Sequence, residues 1–168
     1  MNCIFCEFIS GKRKKHANGV PFKKLHETEH SLTFLSIDFP ATEEGHTIVI
    51  PKKHFNLIED IPNNILLDVI KETKLVSKIL RQKNEGTNIL INNGKSAGQK
   101  IPHIHLHIIP RNKDDKIDLE HFKRKQLSIK QFSELQSTLI QKYSSLKNNI
   151  RVYSATKNLH SPSKVRYV

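Results

Sequence analysis

Residues 102–110 of the chain read PHIHLHIIP, so histidines at 103, 105 and 107 alternate with apolar residues. Because successive side chains of a β-strand point to opposite faces, we expect His103, His105 and His107 on one face. Neighbouring imidazoles would then lie about 6.6 to 7 Å apart, with the isoleucines and the leucine between them facing the core. An exposed strand that happens to carry histidine is the alternative, but three alternating histidines after a glycine-containing loop fit chance poorly.

A row of imidazoles supports three kinds of chemistry. One ring can coordinate a metal. A neutral ring nitrogen can attack phosphorus without first losing a proton. A protonated ring can hold a phosphate oxygen or assist a leaving group, which suits an ordinary pKa of about 6.5.

The length of 168 residues corresponds to one domain, or one domain with an appendage. An apolar fraction of 36% and a charged fraction of 26% exclude collagen-like, low-complexity and wholly disordered classes. No apolar run approaches the roughly 20 residues of a membrane-spanning helix, and the first residues do not resemble a signal peptide. We therefore expect a cytoplasmic protein that uses no membrane.

The formal charge is +12, from 28 basic and 16 acidic residues, and it is unevenly distributed. Residues 1–111 contribute +5, and the shorter segment 112–168 contributes +7. A positive field favours phosphorylated ligands but does not separate a nucleotide from a nucleic acid. A genomic bias towards lysine explains the composition equally well.

Residues 1–111 are predicted to form an α+β unit. Glycines and small polar residues mark 92–100 as a loop. Apolar residues recur at helical spacing between Pro62 and Lys83, and Pro62 suits the first turn of a helix. Short apolar or β-branched runs predict four strands: Ser31–Ile37, His46–Pro51, Thr87–Asn92 and His103–Ile109.

The chain changes character after Arg111. We expect a charged linker and then an amphipathic helix over Ser128–Leu146, together residues 112–147, docked on the first unit or on a second subunit. Ser128 and Gln131 have the spacing of a capping box. Residues 148–168 show no periodicity and are expected to form a mobile basic tail.

The motifs together resemble those of the histidine triad family of nucleotide hydrolases and transferases. The run HIHLHII at 103–109 is similar to the family's signature, and GHTIVIPKKH at 45–54 resembles its second block. Asn92-Asn93-Gly94 with Gly98-Gln99 resembles its phosphate loop, and Cys3-Ile4-Phe5-Cys6 opens the chain as in zinc-containing bacterial members. The resemblance covers residues 1–111 as one catalytic domain. It implies an antiparallel sheet of about five strands with a long helix, here followed by a C-terminal helical extension.

Cys3 and Cys6 form a C-x-x-C pair. A structural zinc site needs four nitrogen or sulfur ligands, and only two thiols exist, so histidines would supply the others. The resemblance implies that these are His54 and His103. Such a site would tie the N-terminus to the central strands; a metal-free protein with reduced thiols is the alternative.

The resemblance implies a mechanism as well. His105 would attack the α-phosphorus of a purine nucleoside phosphate, giving a nucleotidyl-histidine that water then cleaves. His107 would bind a non-bridging oxygen or donate to the leaving group, and His46 would support the pair. Gln99 belongs to the same catalytic set.

Substrate-binding residues are also implied. Asn92 would bind phosphate, and Lys100 stands where the family often has a small hydroxyl residue, so it could contact a polyphosphate or a leaving group. Ile4, Phe5 and Phe8 would wall the purine, although apolar residues near a chain start are as often core. For the ribose, counting back from His46 reaches Asp38, whereas the pattern Phe34-Leu35-x-Ile37 reaches Ser36; we favour Asp38, whose carboxylate can accept both hydroxyl protons.

Three functions remain open from the sequence. The first is a hydrolase of dinucleoside polyphosphates, phosphoramidates or adenylated small molecules. The second is a nucleotide- or nucleic-acid-binding protein with little turnover, which the basic C-terminal segment favours but the scarcity of aromatic residues in that segment disfavours. The third is a zinc-stabilised interaction module. The family also commonly forms homodimers. In this chain the helix at Ser128–Leu146 could instead cover the surface that a second copy would occupy.

Overall fold

The computed structural model of the chain describes residues 3–37, 45–119 and 126–158, with side chains as far as residue 146. Two compact units are present, Met1–Leu119 and Glu120–Val168. The first unit contains helices α1 (Ile4–Ile9) and α2 (Asn63–Leu80) and five strands. The strands are β1 (Lys24–Glu27), β2 (Ser31–Leu35), β3 (Thr47–Pro51), β4 (Gly86–Ile91) and β5 (Leu106–Arg111).

The five strands form one antiparallel sheet in the order β1-β2-β3-β5-β4. In the centre, Ile48 of β3 is paired with His107 of β5. The expected α+β class and the sheet of about five strands are confirmed. β1 was not among the four strands predicted individually, because its sequence KLHE offers four exposed residues and no buried alternation.

The histidine run departs from the predicted strand. β5 begins at Leu106, so only His107 of the three histidines lies in the sheet. The backbone N–H of His103 donates to the carbonyl of Ile101 at 2.8 Å, and that of Ile104 donates to Phe55 at 2.7 Å. Because these two N–H groups bond to loop carbonyls and not to a neighbouring strand, β5 begins three residues later than predicted.

The two faces of the sheet bury different sets of side chains, as alternation along the strands requires. α1 packs on one face and α2 on the other. The first cluster contains Cys3, Phe5, Phe8, Leu32, Phe34, Ile48 and Ile50. The second contains Val49, Val69, Val76, Leu106 and Ile108.

The first unit extends past Arg111, where the sequence predicted its end. The guanidinium of Arg111 pairs with Asp115 at 2.6 Å and donates to the carbonyl of Ile117 at 2.6 Å. Asn112 donates to the side chain of Asn84 at 2.9 Å. These bonds hold the turn after β5 against the domain.

The second unit contains helix α3, Ile129–Asn158. Its predicted capping box is present: the Gln131 N–H donates to Ser128 Oγ at 3.3 Å, and the Ser128 N–H donates to Gln131 Oε1 at 3.0 Å. The predicted end at Leu146 was too early. No glycine or proline stands between Leu146 and Pro162 to end the helix there. The irregular tail expected from residue 148 is therefore wrong as far as Asn158; residues 159–168 lie outside the described part. No described helix is long and apolar enough to cross a membrane.

Candidate active site and metal cluster

Four side chains from distant parts of the sequence converge beside the sheet. Cys3 is the residue before α1, Cys6 lies in α1, His54 follows β3, and His103 precedes β5. One potential ligand atom from each lies within 4.8 Å of every other. The grouping has the four residues that the family resemblance implied.

The spacing of these atoms suits a tetrahedral ion with the bond lengths of zinc. Such an ion places sulfur and nitrogen ligands about 3.6 Å apart and two nitrogens about 3.3 Å apart. Nδ1 of His103 lies 3.5 Å from Cys3 Sγ and 3.6 Å from Cys6 Sγ. Nδ1 of His54 lies 3.3 Å from Cys6 Sγ and 3.2 Å from His103 Nδ1.

The opposite nitrogens of both imidazoles are held in hydrogen bonds. His103 Nε2–H donates to the carbonyl of Pro51 at 2.9 Å, and His54 Nε2 lies 2.9 Å from Asn56 Oδ1. These bonds direct both Nδ1 lone pairs to the centre of the cluster. Burial lowers the pKa of His103 to about 4, so the ring is neutral at pH 7, as a ligand must be.

Burial also raises the pKa of the Cys6 thiol to about 11, an effect that the adjacent Cys3 sulfur reinforces. Thiolates therefore need a cation beside them at this position. The donor set, its spacing and its charge requirement together fit a metal centre.

His105 has a fixed tautomer. Its Nδ1 lies 2.8 Å from the carbonyl oxygen of His103, which can only accept, so Nδ1 carries the proton. Nε2 consequently has a lone pair. The ring packs edge-on against Phe5, 5.3 Å between centroids, and its exposed fraction is 6%. Burial lowers the pKa of this imidazole, which keeps the ring neutral.

His107 and His46 form a hydrogen-bonded pair across β5 and the start of β3. His46 Nε2 lies 2.9 Å from His107 Nδ1, so one proton is shared between the two rings. Burial, together with the neighbouring His105 and His46, lowers the pKa of His107 to about 4. His107 is 4.8 Å from His105 between centroids, so the two rings adjoin.

His105 and His107 open on a cleft of about 250 Å³. Seven residues predicted from the sequence line it: Ile4, Phe5, Phe8, Asn92, Lys100, His105 and His107. Ser36, the alternative for the ribose position, also lines the cleft, whereas Asp38 lies outside the described residues.

Gln99 is placed differently from the expectation. Its Oε1 accepts the N–H of Gly94 at 2.8 Å, and its Nε2 donates to the carbonyl of Asn56 at 2.8 Å. The side chain is not among those lining the cleft. In this structure the two hydrogen bonds of Gln99 stabilise the loop that contains Asn92 and Gly98.

Sequence reasoning missed His16 and Ala17, which line the cleft from the loop before β1. Backbone bonds close that loop: the His16 N–H donates to Val20 at 2.8 Å, and the Gly19 N–H donates to His16 at 3.0 Å. Gly19 has φ +85°. The dipeptide Asn18-Gly19 is a turn signal that could have indicated the loop, but nothing in the sequence indicates its proximity to the histidines.

The fold and the paired histidines define a histidine triad protein. The HIT domain family matches residues 18–114, more than half of the chain, and the chain belongs to this family. An uncharacterized HIT-like protein of Methanocaldococcus jannaschii is 40% identical over 114 residues, 67% of this chain and 81% of its own. The adenosine 5'-monophosphoramidase of Saccharomyces cerevisiae is 39% identical over 117 residues, 70% of this chain and 66% of its own.

Solved structures give the same result. A histidine triad nucleotide-binding protein from Candida albicans superposes with a TM-score of 0.71 at 28% identity, over 86% of this chain and 99% of its own. A zinc-bound histidine triad family protein from Mycobacterium smegmatis superposes with a TM-score of 0.61 at 32% identity, over 86% and 98% of the two chains.

Proposed function

We propose that this chain is a hydrolase that cleaves purine nucleoside phosphates at the α-phosphorus through a nucleotidyl-histidine intermediate. The observation that carries the proposal is the hydrogen bond from His105 Nδ1–H to the His103 carbonyl, which leaves a neutral Nε2 beside the cleft. The relationship to an adenosine 5'-monophosphoramidase supports the substrate class. The phosphoramidate bond is therefore the first to test.

In the proposed first step, the Nε2 lone pair of His105 forms a bond to the α-phosphorus, and the bond from phosphorus to the leaving group breaks. The leaving group departs with the electron pair and takes up a proton. Water then attacks the same phosphorus, the phosphorus–nitrogen bond breaks, and Nε2 recovers its lone pair. The nucleoside monophosphate is the second product.

His107 is proposed to hold a non-bridging oxygen or to supply the proton for the leaving group. Its partnership with His46 supports this role, because the bond between the two rings aligns the imidazole and offers a path for one proton. Burial keeps His107 neutral at pH 7. Before substrate binds, the ring therefore offers an oriented N–H donor and no positive charge.

Asn92 and Lys100 are proposed to bind phosphate oxygens, which their place in the cleft lining supports. Gln99 is proposed to act through the loop that it braces. Ile4, Phe5 and Phe8 would enclose the purine, and Asp38 or Ser36 would accept the ribose hydroxyl protons. Ser36 has the supporting observation that it lines the cleft.

Zinc is the metal that we propose for Cys3, Cys6, His54 and His103, because the donor atoms and their spacing suit it. A bound zinc ion would supply structural cross-linking of the two thiolates with the two imidazoles. His103 would then be fixed on one side by the ion and on the other by Pro51. Its carbonyl is the acceptor for His105, so the ion would position the nucleophile indirectly.

We also propose a cytoplasmic homodimer. A reducing compartment suits the two thiols as metal ligands. The outer face of α2 and the edge strand β4 expose apolar side chains that a second copy could cover. These residues are 44–54% exposed: Leu67, Ile70, Leu75, Ile79 and Ile89.

The hydrolase proposal is tested with adenosine 5'-phosphoramidate. We expect His105→Ala to reduce kcat by about three orders of magnitude or more while nucleotide binding persists. His30→Ala is the matched control, since His30 lies in the turn before β2 and outside the cleft lining. A His105→Ala enzyme that retains the kcat of the control would contradict the proposal, and wild-type binding without turnover would favour the nucleotide-binding alternative.

A further inference from the structure

A basic segment lies beside the cleft. Residues 12–15 read KRKK and connect the end of α1 with the loop that contains His16. Together with Glu7 and His16, these four residues line a second and more open hollow on the surface of the first unit. His16 lines the cleft as well, so the hollow adjoins the cleft at this residue. None of the residues proposed for catalysis is among those that line the hollow.

Backbone hydrogen bonds hold the basic segment on both sides. Towards α1, the Arg13 N–H donates to the carbonyl of Glu7 at 3.1 Å. On the other side, the Phe22 N–H donates to the carbonyl of Lys14 at 2.9 Å, and the next residue forms an isolated β-bridge with Pro21. The backbone is therefore ordered before a ligand arrives, so binding restricts only the long side chains.

The hollow carries a positive charge that the described residues do not compensate. Arg13 pairs with Glu7 at 2.7 Å, which neutralises one of the four cations. Lys12, Lys14 and Lys15 are exposed, and none of them has an ion pair with a described residue. Three neighbouring ammonium groups suit a phosphate group, which offers about two negative charges and three acceptor oxygens at pH 7.

The place of the hollow beside the cleft indicates where such a phosphate would be attached. His16 packs against Phe8 with 5.1 Å between ring centroids, and Phe8 belongs to the part of the cleft proposed for the purine. Asn92 and Lys100, which are proposed to bind the phosphate oxygens at the reacting end, do not line the hollow. A phosphate in the hollow would therefore extend from the nucleoside and not from the leaving group.

We propose that the hollow binds a second phosphate group, carried by the ribose of the nucleotide at its 2' or 3' oxygen. This inference rests on the proposed function only in that a nucleotide occupies the cleft, and it does not depend on hydrolysis. It narrows the ligand class, because a nucleotide phosphorylated on the ribose would bind more tightly than a nucleoside 5'-monophosphate. The attraction acts between exposed charges, so added salt weakens it.

The test measures nucleotide binding to the full chain by isothermal titration calorimetry at low salt. The ligands are AMP, ADP, adenosine 3',5'-bisphosphate and adenosine 2',5'-bisphosphate. The hollow variant replaces three lysines: Lys12→Gln, Lys14→Gln and Lys15→Gln. The control variant removes the same charge from exposed positions of α2, on the other face of the sheet: Lys71→Gln, Lys74→Gln and Lys78→Gln.

We expect at least one of the two bisphosphates to bind wild type about tenfold more tightly than AMP. The hollow variant should lose this gain, and the control variant should keep it. ADP carries its additional phosphate at the reacting end, so the two variants should bind ADP with equal affinity.

Three results would overturn the proposal. The first is wild type that binds AMP and both bisphosphates equally, or binds none of them. The second is a hollow variant that loses as much affinity for ADP as for the bisphosphates. The third is an equal loss of bisphosphate affinity in both variants, which would indicate the general field of the protein. The expected affinities without any turnover would contradict the hydrolase proposal alone and would support this one.

Discussion

At the scale of single residues, a backbone carbonyl holds the side chain of His105 in one tautomer. The same residue that offers this carbonyl, His103, belongs to the Cys/His cluster that could hold a metal. The proposed nucleophile and the proposed zinc ligand are therefore coupled through two covalently adjacent peptide units. Alternation of histidine and apolar residues in the sequence predicted that the rings would be close, but it could not predict this hydrogen bond, because the bond depends on residues 103–105 lying outside the ladder.

His107 gives a prediction about stability at low pH. Its pKa is lowered to about 4 in the folded chain from an ordinary 6.5, chiefly by burial. Because the unfolded state binds the proton first, this contribution to stability is complete above pH 6.5 and is lost as the pH falls towards about 4. We expect the melting temperature of wild type to fall over this range more steeply than that of His107→Gln.

The measurement is a series of thermal melts from pH 7.5 to pH 4 on both proteins, with metal content checked at each pH. The difference between the two curves isolates His107 from other acid-sensitive groups. Parallel curves for wild type and His107→Gln would contradict the proposed neutral, buried state of this ring.

At the scale of elements, the loop between β4 and β5 positions Asn92 and Lys100, the side chains that we propose to bind phosphate. Gly98 ends a short 3-10 turn with φ +88° and lines the cleft beside Asn92. A Cβ added at Gly98 would lie 3.9 Å from Asn92 Nδ2. The backbone of this loop and the hydrogen bonds of Gln99 together hold Asn92 in the lining of the cleft.

Gly98→Ala and Gly11→Ala form a matched pair of substitutions. Both glycines have positive φ, and nothing lies within 4 Å of a Cβ at Gly11. Each substitution should cost about 1–2 kcal/mol of stability from the left-handed backbone. Only Gly98→Ala should also raise KM for the nucleotide, measured by steady-state kinetics; an equal KM in the two variants would show that the loop does not position the substrate.

Periodicity and turn residues predicted most of the helices and strands. The elements that these patterns missed were missed for physical reasons. α2 and the central strands bury regular faces, so their patterns are strong. β1 is exposed and contains Lys24 and Glu27. Its support comes from pairing with β2 and from tertiary contacts such as that of His26 with Glu72, which the sequence does not display. His16 reaches the cleft through tertiary folding of a polar loop, for which no local pattern exists.

At the scale of the whole molecule, the Cys/His cluster connects the first helix to the two strands β3 and β5 of the sheet. Cys3 directly precedes α1 and Cys6 lies in it, whereas His54 and His103 flank β3 and β5. The resemblance to the family's motifs implied this set, because the residue types alone restrict the sulfur ligands to Cys3 and Cys6 and leave ten histidines for the other two positions. Charge and composition do not indicate an assembly state, and the exposed apolar side chains of α2 and β4 become visible only in the fold.

Removal of one ligand should release the metal and destabilise the domain. We expect purified wild type to contain one zinc ion per chain. His54→Asn should lose most of it and melt about 10 °C lower, corresponding to a loss on the order of 3 kcal/mol. His30→Asn, another histidine in a loop, should keep both metal and melting temperature.

Elemental analysis and thermal melts provide the comparison. A His54→Asn protein with full zinc content would exclude His54 as a ligand. A wild-type protein free of zinc after purification without chelator, with a melting temperature that added zinc does not change, would contradict the structural metal centre as a whole.

The most direct test of the account is a search for the covalent intermediate. Wild-type enzyme mixed with excess adenosine 5'-phosphoramidate is quenched with base, which preserves phosphorus–nitrogen bonds of histidine better than acid, and its peptides are analysed by mass spectrometry. We predict one adenylyl group on the peptide that contains residue 105, attached at His105, and none in His105→Ala. Rapid turnover with no adduct at any time point, or an adduct on His107 or another residue, would contradict the claim that Nε2 of His105 is the nucleophile.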